Sequence, residues 1–102
     1  MNSAAKTFGN YFTDVLIWIR FSKGKKIQDL KHIICSESYL RKISRGERVP
    51  PDDLFEEMHF DEELRVPRPF MRELKRLAKP ARVEVRVLRS RERLRRIFKG
   101  RY

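Results

Sequence analysis

The residues with the clearest chemical potential are arginines. Arg82, Arg86, Arg89, Arg91, Arg93, Arg95 and Arg96 crowd one short stretch near the C-terminus. A guanidinium presents a planar fork of donors that matches a phosphate in bidentate fashion and stacks on bases. From Arg65 onward, 15 basic residues face only Glu73, Glu84 and Glu92, a net charge of +12, and only Lys75, Lys79 and Lys99 of the 15 are lysines. Residues 1–60 carry 10 basic and 8 acidic side chains, a net of +2. The formal charge of +11 over 102 residues is therefore regional. It suggests a core module, residues 1–64, with an arginine-rich extension over 65–102 that holds a polyanion. Nucleic acid is the expected polyanion.

A second group of polar residues lies upstream. Ser36, Glu37, Ser38, Arg41, Lys42 and Arg45 share one face of a short helical pattern whose other face carries Tyr39, Leu40 and Ile43. Such a mixture of hydroxyl, acidic and basic groups suits base edges and phosphates.

Chemistry of other kinds lacks its components. Cys35, His32 and His59 do not have metal-ligand spacing, and a structural zinc site needs about four ligands. Asp52, Asp53, Glu56 and Glu57 are paired carboxylates at a helix start, where acids offset the dipole. With Asp61, Glu62 and Glu63 they form an acidic stretch able to dock on the basic extension of the same or another chain. No nucleophile stands beside a base and no glycine-rich phosphate loop is present, so neither an enzyme nor a cofactor is expected. The single cysteine reads as a small buried apolar residue and points to a reducing compartment, cytoplasmic or with the nucleoid or nucleus. The apolar run Val15–Ile19 is bracketed by Asp14 and Arg20 and falls far short of the roughly 20 residues of a membrane span, so no membrane partner is expected. It also lacks the flanks of an export signal.

The elements that must position these residues follow from periodicity. Residues 1–9 read as frayed. Tyr11–Phe21 reads as a mostly buried helix, or as a short buried strand. Ile27, Leu30, Ile33 and Ile34 recur at helical spacing and predict a helix over 27–34. Ser36 or Ser38 caps the next helix, 38–45, which Gly46 stops. Pro50-Pro51-Asp52-Asp53 opens a helix with Leu54, Phe55 and Met58 inward. Phe70–Lys79 is helical in pattern, and Pro80 closes it. Val83, Val85 and Val87 alternate with Arg82, Glu84 and Arg86, which predicts a half-buried strand over 83–88 that could also pair two copies in a homodimer. A final helix is expected over 91–99, packing through Leu94, Ile97 and Phe98.

The run Ser36-Glu37-Ser38-Tyr39-Leu40-Arg41-Lys42-Ile43-Ser44-Arg45-Gly46-Glu47-Arg48-Val49-Pro50 resembles the recognition helix and following turn of the phage-repressor (Cro/Xre-type) helix-turn-helix family. The resemblance extends over residues 11–60, and its specific part is 36–54. Ile34-Cys35 stands where the family favours a glycine, and Lys26 where it has a phosphate-touching glutamine. The resemblance implies a small helical bundle, sequence-selective binding of duplex DNA and a symmetric dimer. Base contacts would fall near Ser36, Glu37, Ser38, Arg41 and Lys42, with Arg45 near the backbone. The expected protein is thus mainly α, a helix-turn-helix bundle with a basic strand-helix extension, acting as a transcriptional regulator. Two alternatives remain open: an RNA-binding or ribosome-associated structural protein, and a viral or mobile-element adaptor that binds another protein.

Overall fold

A computed structural model describes residues 3–33 and 36–99. Among the described residues, four helices, α1 (Ala4–Lys23), α2 (Glu37–Ser44), α3 (Asp52–Phe60) and α4 (Arg68–Lys99), and one 3₁₀ turn, Ile27–Leu30, make up the regular structure. Ile34 and Cys35, which the sequence offers as core residues, lie outside the described residues.

α1 starts well before the predicted Tyr11. Ser3 is its N-cap, its hydroxyl accepting from the Lys6 N–H at 3.0 Å, and Ala4-Ala5 are strong helix formers. Phe8 is fully buried and stacks on Phe12, with ring centroids 6.0 Å apart, while Phe55 of α3 meets Phe8 at 5.9 Å. Residues 4–9, expected to be frayed, are therefore helical and place Ala5, Phe8 and Gly9 in the core, and Val15 and Ile19 extend the same inward line. Gly24, with a left-handed φ of 66°, ends the helix.

Two glycines set how closely α1 lies on α2. A Cβ on Gly9 would stand 2.7 Å from the Ser44 carbonyl oxygen, and one on Gly46 would stand 2.9 Å from that of Ala5. Gly46 also adopts φ 77°, which only glycine takes without strain.

The segment predicted as a helix over 27–34 is shorter and tighter. A 3₁₀ turn at Ile27–Leu30 is followed by a turn through Lys31–Ile33. Asp29 accepts from the Lys26 N–H at 2.9 Å, and the Ile33 N–H reaches Leu30 O at 3.0 Å. Leu30 is the one fully buried side chain of the turn, so too little apolar surface is covered to propagate an isolated helix.

Beyond residue 65 the helices expected at 70–79 and 91–99 are helical, but the strand between them is not, and Leu94, Ile97 and Phe98, expected to pack, are exposed. There is no strand at 83–88 among the described residues, and Pro80 ends nothing: a single 32-residue helix runs from Arg68 to Lys99. A proline inside a helix forfeits one backbone bond and crowds the carbonyl four residues back. Pro80 lies on the solvent side, where that carbonyl can turn to water, while its neighbours Ala78 and Ala81 are fully buried against the bundle. Arg82 and Glu84 then tie the next turn to the rest of the protein. Arg82 donates to Pro50 O at 2.8 Å and Asp52 Oδ1 at 2.6 Å, and Glu84 accepts from the Ala4 N–H at 2.6 Å. These contacts hold helical geometry through a sequence whose alternation suits a strand.

The core lies between α1, α3 and the first half of α4, with α2 closing one side through Leu40 and Ile43. Leu64 and Val66 of the α3–α4 connection plug it from below, the Val66 N–H bonding Met58 O at 3.1 Å. From Arg86 to Lys99 every residue of α4 is exposed, so the helix projects beyond the bundle and the molecule measures 54 × 24 × 22 Å.

Candidate nucleic-acid interface

α2 forms much as its sequence suggests. Ser36 is its N-cap, with Oγ accepting from the Tyr39 N–H at 3.1 Å, so this hydroxyl is engaged by its own helix. With Leu40 and Ile43 buried, the 3.6-residue period leaves Ser38, Arg41 and Arg45 exposed and Glu37 and Lys42 half-buried. Both of these arginines already have acidic partners. Arg41 bridges to Glu37 at 2.8 Å across one turn, and Arg45 to Glu47 at 3.3 Å. Exposed pairs of this kind exchange readily for other anions, since each contributes only about 0–1 kcal/mol.

The arginines of α4 acquire their geometry from its being a helix. Arg82, Arg86, Arg89, Arg93 and Arg96 are separated by four, three, four and three residues, which places them along one line of the helix. Arg82 at its base is committed to Pro50 and Asp52 and is structural. The other four are exposed and span about 15 Å at 1.5 Å per residue. Arg91 and Arg95 project from the opposite side and do not join this line.

At the root of the line the two halves of the chain meet. An open groove of about 400 Å³ is lined by Tyr39 and Arg48 from the α2 side and by Arg82, Arg86 and Arg89 of α4. A neighbouring groove shares Arg48 and Arg89 and adds Lys42, with Glu47 and Glu92 on its rim. Sequence reasoning does not single out Arg48. Its one signal is its place between Gly46 and Pro50, in a turn that must run back towards the body of the protein. Of the predicted readers, Lys42 joins the α4 arginines here; Ser38 and Arg41 sit elsewhere on α2 and do not line these grooves.

Trp18 packs edge-on against Phe70, with centroids 5.4 Å apart, and Tyr39 is half-buried at the groove. The acidic stretch does dock on basic residues of its own chain: Asp52 on Arg82, Glu56 on Lys75 at 2.9 Å, and Glu63 on Lys25 at 3.3 Å.

Among the described residues, no group of three histidines, cysteines or acids is placed to hold a metal ion. No helix among them is long and apolar enough to cross a membrane. Comparison of the chain with protein-family models, with curated proteins and with solved structures finds no match.

Proposed function

We propose that this protein binds nucleic acid, with duplex DNA as the first candidate. The exposed arginines of α4 would lie along the phosphate backbone and the outward face of α2 would lie beside the bases, as in a transcriptional regulator. The observation that carries this reading is the groove in which Arg48, Arg86 and Arg89 converge, with Lys42 next to it. It joins the outward face of α2 to the arginine line, so one bound duplex could touch both. Phosphate contacts from Arg86, Arg89, Arg93 and Arg96 would supply affinity, whereas Ser38, Arg41 and Lys42 would supply selectivity.

One observation favours RNA as a second reading. Glu37 and Glu47 already offset Arg41 and Arg45, so the uncompensated positive charge belongs to α4 more than to α2. A projecting arginine-rich helix suits structured RNA, where shape and phosphates dominate recognition.

Filter binding of duplex DNA, single strands and structured RNA across a salt series separates the two. Preference for particular duplex sequences that Arg41→Ala abolishes supports the DNA reading. Structured RNA that outcompetes every duplex at equal salt supports the RNA reading. Affinity for all three below that of an unrelated protein of equal charge would rule out both.

A further inference from the structure

The projecting half of α4 carries a second feature that the arginines do not explain. Val83, Val87, Leu94 and Ile97 are 60, 44, 53 and 49 % exposed, and with Ser90 they follow one another at spacings of four, three, four and three. At about 100° per residue they form a straight apolar seam. The bundle does not cover it. The inward line of α4 runs through Leu74, Ala78, Ala81 and Val85, and each seam residue that follows lies close to half a turn away from that line. The seam therefore faces away from the body of the protein, free of steric cover.

Its spacing is that of a heptad repeat, with Val87 and Leu94 at a and Val83, Ser90 and Ile97 at d. Only Phe98, 55 % exposed at an e position, widens the a and d seam, and a face this narrow suits another helix better than a lipid surface, where a wider apolar face is required. The flanking positions decide which helix. Position g is Arg86 and Arg93, and position e is Glu84, held to the start of α1, Arg91 and Phe98. Two copies packed in parallel would set Arg86 of one against Arg91 of the other, and antiparallel packing would set Arg86 against Arg93. Self-pairing thus sets arginine against arginine in either orientation, with a serine in the middle of a short seam. An acidic amphipathic helix has neither difficulty, because its own e and g carboxylates would meet these guanidiniums.

We infer that the outer face of α4, Val83–Ile97, docks an acidic amphipathic helix of a partner protein, gripping it by the apolar seam and selecting it by Arg86, Arg91 and Arg93. This surface is separate from the nucleic-acid reading in its apolar part and shares Arg86 and Arg93 with it.

The probe is a synthetic helical peptide of about three heptads with leucine at a and d and glutamate at e and g, set against the same peptide with lysine at e and g. The glutamate peptide should bind the full chain at least about tenfold more tightly than the lysine peptide. L94S combined with I97S should weaken it by about tenfold or more. Both sites are solvent-exposed, so the circular dichroism and nucleic-acid affinity of that variant should match the parent. Equal binding of the two peptides, or an unaltered affinity in the double variant, overturns the inference. So does a seam-dependent dimer in sedimentation that excludes the peptide, which would make a second copy the occupant. Seam-dependent binding to phosphatidylserine vesicles without binding of the glutamate peptide overturns it in favour of a lipid surface.

Discussion

The carboxylate of Glu84 accepts a hydrogen bond from the backbone N–H of Ala4 at 2.6 Å, across 80 residues of chain. It also lies 3.4 Å from the Ala5 N–H. A negative group from α4 thereby satisfies donors at the N-terminus of α1, where the helix dipole favours it. Glu84→Ala should cost about 1 kcal/mol, as loss of a helix cap does. Amide exchange at the start of α1 should accelerate more than exchange at Val15 or Ile19, and uniform acceleration would contradict the local role.

Arginines on the same line of α4 should respond differently to truncation. Arg82→Ala removes the bonds to Pro50 and Asp52 and should lower stability by about 1 kcal/mol, a figure kept modest because Asp52 is partly solvated. Arg93→Ala should leave stability unchanged and weaken nucleic-acid binding alike for all sequences. The salt slope for duplex DNA should fall by about 0.9 once one phosphate is no longer neutralised. Thermal melts paired with salt-dependent binding distinguish the two residues.

Gly9 sits inside α1, where alanine would ordinarily add about 0.5–1 kcal/mol of stability. Here the new methyl would press on the carbonyl oxygens of Ser44 and Ile43, at 2.7 and 2.8 Å, and these are backbone atoms that cannot rotate aside. Gly9→Ala should therefore destabilise by about 1–3 kcal/mol. Urea unfolding gives the sign, and a stabilised variant would mean that α1 and α2 separate easily.

Arg65 adopts φ 40°, in the left-handed region, between Leu64 and Val66 of the buried plug. Non-glycine residues pay about 1–2 kcal/mol there. Arg65→Gly should recover part of this, about 0.5–1 kcal/mol after the greater freedom of the unfolded glycine is allowed for. The expected readout is a melting temperature higher by a few degrees.

His32 and Asp61 form a pair that makes stability depend on pH. His32 Nε2 lies 2.7 Å from Asp61 Oδ2, and its bond to that carboxylate holds the imidazole above its ordinary value of 6.5. This contribution is fully present below the unfolded histidine value and is lost as pH rises through the raised folded one. Burial pushes the Asp61 carboxyl up, but hydrogen bonds from His32, Leu64 and Glu63 outweigh it and hold the group below 3.8. Its contribution is present above the unfolded aspartate value and is lost as pH falls through the lowered folded one. Urea midpoints should thus be highest at weakly acidic pH, between the two unfolded values. His32→Gln should remove the decline on the alkaline side while leaving most of the acid side, because Asp61 keeps the backbone donors of Glu63 and Leu64 at 2.9 and 3.0 Å.

The parts of this protein legible in its sequence are those whose determinants are local. Ser36 and Gly46 bracket α2 within one residue of expectation, and Pro51 with Asp52 and Asp53 opens α3, because caps and dipole partners act over a single turn. The buried positions Leu40, Ile43, Leu54, Phe55 and Met58 follow from the same short-range period. The concentration of arginine beyond residue 65 is likewise a property of composition alone.

What the sequence left undetermined was the geometry of that arginine. As a strand, Arg82 and Arg86 would share one face of a sheet with nothing to extend them; as a helix, they begin a line that continues through Arg89, Arg93 and Arg96. Local rules favoured the strand, because three valines alternate with polar residues soon after a proline. Tertiary structure reversed the outcome through Ala78 and Ala81 against the bundle, Arg82 on Pro50 and Asp52, and Glu84 on the start of α1. Several long-range contacts acting together can outweigh one missing backbone bond and a weak β preference, and none of them is visible in a window of neighbouring residues. The charge was written in the sequence; its alignment into one exposed line beside Arg48 was decided by the fold.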